Sequence, residues 1–267
     1  FNKFRKGGGT DAVIRMDTII RNSTVRRPLL FNETGKDKFI FCYDPARNFD
    51  GSVLSIYRVI NDLNEGYKLS LENVVSMVDP NTKNKTPLPM PEQIEIIRQL
   101  MIDYNGERAA DWENIEFYCD AGSGGGGVSA VADNLMQDFV DSTGRVRRGI
   151  IDPVHKQYES SRQKYVNATF NMHLIEPKSY KVIIYDALEK MSKLNLINFP
   201  DYDGKDYLLL IKNDGEPVEY QLSFKERLAL VHVNIMKNEV IYMCRCETPT
   251  GGVTYELAKD KKNIMHD

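Results

Sequence analysis

The sequence predicts an α/β fold built on a mixed sheet, with three antiparallel strands first, parallel strands after them, and helices on the flanks. Three observations carry the prediction. A continuous apolar run ends at Asp44-Pro45, and two further β-rich runs follow it through short turns. After Pro91 the period changes from strand to helix, and helical and strand-like runs then alternate.

Residues 1–37 are polar, glycine-bearing and basic, with Gly7-Gly8-Gly9 and Arg15, Arg21, Arg26 and Arg27. They are expected to form a connector or arm leading into a domain that spans 38–267. Phe39-Ile40-Phe41-Cys42-Tyr43 is uninterrupted by polar residues, as expected of a strand buried on both faces. Proline cannot continue a ladder, so Asp44 falls at the C-terminal edge of that strand. Residues 52–60 and 67–78 are the second and third strands, with turn chemistry at 48–51 and at Asn64-Glu65-Gly66. Ile94, Ile97, Leu100 and Met101 then recur at helical spacing. Ile115 to Cys119 is a fourth strand, ending at Asp120. After the glycines, 128–141 reads as a helix with Val128, Val131, Leu135 and Phe139 on one face, and 149–152 as a short fifth strand. Further helices are expected near 157–168, 178–194 and 223–238, and extended pieces near 171–175, 195–199, 206–211, 239–246 and 252–257.

The order β-β-β-α-β-α-β-α is the RNase H-like topology, in which the fourth strand enters parallel to the first and beside it. A helical crossover between the two supports that placement.

Asp44 and Asp120 then lie side by side at the C-terminal ends of neighbouring strands, ~4.8 Å apart. Carboxylates that close repel unless a cation joins them. Mg²⁺ takes oxygen ligands, and two ions ~3.5–4 Å apart can activate a water and stabilise the leaving oxygen in phosphodiester cleavage. Asp after a strand is also a common turn former or cap. It is the pairing in this topology that favours the metal-binding reading. A third acidic ligand is expected from Asp50, in the turn after Asp44, or from Asp267, after the run Lys262 to His266.

Gly124 to Gly127 follow Asp120 closely. They match neither GxxxxGK[ST] nor a dinucleotide fingerprint in its βαβ setting. A glycine-rich turn into a helix suits a DNA phosphate, and serves equally as a plain flexible link. Residues 145–190 hold nine Lys or Arg and five Asp or Glu, a local +4 in a chain of net charge −3. Within that segment only Arg145-Val146-Arg147-Arg148 is dense enough to single out as a DNA-backbone contact.

Other classes find little support. Hydrophobic residues at 42% and charged residues at 27% fit a globular domain with a real core. The overall charge is not that of a non-specific nucleic-acid binder, so any such partner must be met by local charge. Cys42, Cys119, Cys244 and Cys246 form no paired CxxC pattern, which argues against zinc and for free thiols in a reducing compartment. His155, His173, His232 and His266 are scattered, with no nucleophile in a recognisable turn, and His232 in an apolar helix is most simply structural. No apolar run is long enough to span a bilayer, and no signal peptide is expected. A chain that opens on Phe1 and closes on His266-Asp267 is expected to be a fragment of a longer protein.

Three stretches carry a family resemblance. Phe39 to Ala46, Glu116 to Gly127 and Lys262 to Asp267 together resemble the C-terminal nuclease domain of tailed-bacteriophage large terminase subunits. The stretches His173 to Lys178 and Leu196 to Pro200 are similar to the region between that family's second and third acidic motifs. The resemblance covers 38–267. It implies an RNase H-like nuclease that cuts concatemeric double-stranded viral DNA during packaging, using two Mg²⁺ or Mn²⁺ ions. It makes Asp44 and Asp120 the first and second motifs. His266 and Asp267 match the start of a third motif, usually His-Asp-Asp, whose last position falls beyond the sequence. Asp44 would then bridge both ions, with Asp120 and Asp267 each on one and Asp50 and His266 as auxiliaries. Gly124, Gly125, Gly126, Arg145, Arg147 and Arg148 would hold DNA. The resemblance further implies a portal protein and a small terminase subunit as partners, a location in the host cytoplasm, and ATP use only through a separate motor domain joined by 1–37. Two other classes stay open: another RNase H-like nuclease such as a junction resolvase, and a DNA- or portal-docking module that does not cut.

Overall fold

Along 38–44 the burial alternates. Phe39, Phe41 and Tyr43 are buried, Ile40 and Cys42 half-buried, and Lys38 and Asp44 exposed. The same alternation recurs in 52–57 and 115–120, so these strands share one packed face and one more open face. The computed structural model describes residues 12–45, 51–64, 66–79, 81–82, 86–122, 126–247 and 251–257, the side chains of 126–129, 178 and 257 excepted. In chain order the elements are α1 (Met16–Arg21), β1 (Ser23–Thr24), β2 (Lys38–Asp44), β3 (Ser52–Asp62), β4 (Gly66–Met77), α2 (Met90–Asn105), β5 (Ile115–Asp120), α3 (Gly126–Leu135), β6 (Phe139–Val140), β7 (Val146–Arg147), a 3-10 turn (Lys156–Tyr158), α4 (Glu159–Lys164), β8 (Met172–Ile175), α5 (Pro177–Lys193), β9 (Ile197–Pro200), β10 (Tyr207–Ile211), β11 (Pro217–Gln221), α6 (Phe224–Val240), β12 (Met243–Glu247) and β13 (Val253–Leu257).

Seven strands form the main sheet in the order β1-β9-β4-β3-β2-β5-β8. β2 runs antiparallel to β3 and parallel to β5, and β5 runs parallel to β8. The stretch β4-β3-β2-β5 places the third, second, first and fourth strands of the expected order side by side, β8 adds a parallel strand beyond β5, and the fold is RNase H-like. The chain divides into two compact units, one of segments 31–59 and 75–178, the other of 1–30, 60–74 and 179–267.

In the first unit α2 starts with Pro91 in its opening turn and buries Ile94, Ile97, Met101 and Tyr104. Tyr104 meets the rings of Phe39 and Phe41 edge-on at 4.9 and 5.7 Å. Phe117 packs near Phe41 and Tyr43, and the Tyr43 hydroxyl donates to Gln93 Oε1 at 2.6 Å. β2 is therefore fully packed on its Phe39 face only, and not on both faces as its apolar run suggests.

Two expected elements change. The helix expected over 128–141 stops at Leu135, and Phe139 belongs to the hairpin of β6 and β7. Turn chemistry overrides the helical spacing there. Asp141 Oδ1 accepts from the backbone of Thr143 and Arg145 and from the Thr143 hydroxyl, and Gly144 takes φ +84°. The strand expected at 149–152 is reduced to one bridge between Ile150 and Thr169, and the fifth strand of the fold is β8. Asp152 turns the chain there, accepting from the backbone of Val154, His155 and Leu174.

In the second unit β9 runs parallel to both β1 and β4. Residues of the expected arm take part in this packing, since Val13, Ile14 and Ile19 are buried and Val13 N–H donates to the Met243 carbonyl. α6 opens with a capping box, Ser223 and Glu226 each satisfying the other's backbone N–H. Leu230 of this helix joins Leu208 and Leu222 in a small core under the β10–β11 hairpin. No helix among the described residues is long and apolar enough to cross a membrane.

Candidate metal centre

The register of β2 against β5 runs from Phe39 opposite Ile115 to Tyr43 opposite Cys119. Asp44 and Asp120 are the next residues of the two strands, so the same register carried on by one residue would set them opposite each other. Both carboxylates end parallel neighbouring strands, ~4.8 Å apart at the backbone, and both belong to the more open face of the sheet. Asp120 is half-buried and Asp44 exposed. Asp120 Oδ1 accepts the Gly122 N–H at 2.6 Å, and the Ala121 N–H donates to the Ile175 carbonyl of β8 at 2.6 Å.

Charge converges on this point. Burial, and then the carboxylates of Asp120 and Asp44, push the Cys119 thiol well above its ordinary range. Burial pushes Cys42 up to about 11. A thiol shifted in this direction is disfavoured as a thiolate nucleophile. Carboxylates are hard oxygen donors, and two on adjacent strand ends are suited to Mg²⁺ or Mn²⁺. Among the described residues no group of three or more His, Cys, Asp or Glu converges to hold an ion. Asp50, His266 and Asp267, named for that purpose from the sequence, lie outside the described residues, as do Gly124 and Gly125. Gly126 is the first residue of α3.

The three arginines separate by surroundings. Arg147 is 6% exposed, with its guanidinium bonded to Asp141 Oδ2 at 2.7 Å and Asp111 Oδ1 at 3.1 Å. Burial lowers its pKa, the bonds to the two carboxylates raise it, and the net shift is upward. Arg145 and Arg148 are exposed. Arg145 reaches Asp111 at 2.9 Å, and Arg148 Nε donates to the Asn167 carbonyl at 2.5 Å.

Several residues that the sequence reading passed over share the face of Asp120. Tyr118 stacks on His173 with ring centroids 4.6 Å apart, and His173 Nε2 lies 2.7 Å from Glu116 Oε2. Counting back from Asp120 in steps of two through Tyr118 and Glu116 would have found two of them. His232 Nδ1 donates to the Val74 carbonyl at 3.0 Å, a structural role.

Neither a protein-family model nor a curated protein matches the chain. Among solved structures it is similar to the large terminase nuclease from thermophilic phage G20c, at 11% identity and a TM-score of 0.43, over 83% of this chain and 96% of that one. It is also similar to the large terminase nuclease domain of Thermus phage P74-26, at 12% identity and a TM-score of 0.45, over 94% and 87%. A third is the g2p large terminase nuclease domain of bacteriophage SPP1 with bound Mn, at 9% identity and a TM-score of 0.28, over 81% and 94%. At these values the likeness carries no weight of its own, and the fold assignment rests on strand order and register.

Proposed function

We propose that this chain is a metal-dependent endonuclease cleaving double-stranded DNA, the nuclease part of a phage packaging terminase. The observation that supports the reading is that Asp44 and Asp120 end adjacent parallel strands of an RNase H-like sheet. Asp44 and Asp120 would hold divalent ions, with Asp267 as third ligand and Asp50 and His266 as auxiliaries. Two Mg²⁺ or Mn²⁺ ions supply Lewis-acid activation of water and neutralisation of the leaving oxygen when bound. The chain's own part is to hold the two carboxylates at neighbouring strand ends, and to hold the DNA. In this reading Gly124, Gly125 and Gly126, which precede or open α3 in the sequence, would contact a DNA phosphate. Arg145 and Arg148 offer exposed cations, and Arg147 steadies the hairpin that carries Arg145. In the full assembly we place a portal protein and a small terminase subunit beside this domain in the host cytoplasm, with ATP used by a motor joined through 1–37.

The test is plasmid cleavage in Mn²⁺ or Mg²⁺. Asp44→Ala and Asp120→Ala are each expected to lower the rate by about 100-fold or more, the equivalent of roughly 3 kcal/mol of lost transition-state stabilisation. Undiminished cleavage by either variant overturns the site. Strong preference for a four-way junction over linear duplex would redirect the reading to a resolvase. DNA binding without metal binding or cleavage would redirect it to a docking module.

A further inference from the structure

The turn after β5 is tied at two consecutive residues. Ala121 N–H bonds to the Ile175 carbonyl on β8, and Gly122 N–H bonds to Asp120 Oδ1, each at 2.6 Å. A Cβ added at Gly122 would stand 2.9 Å from Asp120 Oδ1, 3.7 Å from Cγ and 3.9 Å from Oδ2, and these are its nearest neighbours. Gly122 is not among the glycines with positive φ, so its backbone alone would accept alanine. What excludes a side chain there is the Asp120 carboxylate.

We propose that Gly122 is a positioning residue for the metal centre: its N–H clamps one oxygen of Asp120, and its missing side chain leaves the space that carboxylate occupies. The inference rests on the metal-binding reading of Asp44 and Asp120. The competing account is an ordinary turn in which Asp120 merely bonds its own backbone two residues on. The two accounts part at alanine. A plain turn keeps working, because φ permits the substitution. A positioning turn does not, because Ala121 is anchored to β8 and the carboxylate must yield, losing the clamp and its placement beside Asp44.

The experiment is Mn²⁺ titration by calorimetry of the wild-type chain, Gly122→Ala and Asp120→Ala, with thermal melts of each. Wild type is expected to bind and Asp120→Ala to lose binding. Gly122→Ala should bind about 10-fold more weakly or worse, the scale seen when a ligand's supporting contact is removed, while melting close to wild type. Gly122→Ala binding as tightly as wild type overturns the proposal. Absence of Mn²⁺ binding by wild type overturns the metal-centre reading beneath it, a distinguishable failure. If Gly122→Ala does not fold, the Gly122 amide proton decides. In the wild-type spectrum it should lie downfield and move upfield in Asp120→Ala, and an unmoved signal overturns the clamp.

Discussion

Arg145, Arg147 and Arg148 are near neighbours in sequence, and their surroundings give them different tasks. Arg147 sits between two carboxylates and is almost fully covered. Removing it takes the guanidinium from Asp141 and leaves Asp111 with Arg145, so Arg147→Ala is expected to lower the melting temperature by several degrees. Arg145→Ala and Arg148→Ala should leave the melt nearly unchanged and weaken DNA binding, each reducing the salt-dependence slope by about one. A thermal melt beside a binding curve at several salt concentrations separates the two effects. Asp141 adds a pH dependence. Its hydrogen bond from the Thr143 hydroxyl, then that from Arg147, hold its carboxyl well below the ordinary carboxylate range. A depressed folded-state pKa stabilises above the unfolded value of ~3.9, and that stability is lost as pH falls below it. Asp141→Asn should therefore flatten the acid limb of the stability curve, and an unchanged limb refutes the assignment. Arg147's task was illegible in the sequence because Asp111 lies 36 residues away. Asp44 and Asp120 were legible because each ends an apolar run.

At the scale of elements, legibility followed whether local spacing and local turn chemistry agreed. They agreed in β2, β5 and α2, whose apolar patterns run unbroken to a proline, an aspartate or a glycine. They disagreed after Leu135, where Phe139 continues a helical spacing and Asp141 with Gly144 imposes a hairpin. β11 has too few apolar residues to announce itself and exists as the partner of β10. α6 offers a clean energetic test. Its capping box satisfies two backbone donors, so Ser223→Ala is expected to cost about 1 kcal/mol in chemical denaturation. In the sheet, Phe117 is fully buried beside Phe41 and Tyr43, and Phe117→Ala is expected to cost about 3–5 kcal/mol.

For the whole molecule, the strand order was readable because short links and helical crossovers leave few topologies open. The extra pairing of β1 with β9 was not, because two residues in a polar stretch give no periodic signal. The strand ends that carry Asp44 and Asp120 were readable, and the use of those carboxylates as a site stays a proposal. The context of Asp120 was not readable, since Glu116, Tyr118 and His173 come together only through the β5–β8 register. A ligand that binds only the folded chain stabilises it, by about 2.7 kcal/mol at 100 times its dissociation constant. Saturating Mn²⁺ should therefore raise the melting temperature of wild type and leave that of Asp44→Ala unmoved. The most direct measurement is an anomalous difference map from a crystal of this chain soaked in Mn²⁺. The account predicts a peak bonded to carboxylate oxygens of both Asp44 and Asp120, at roughly the 2.0–2.1 Å typical of small hard divalent ions. A chain that cleaves DNA in Mn²⁺ yet shows its peak away from that pair would contradict it.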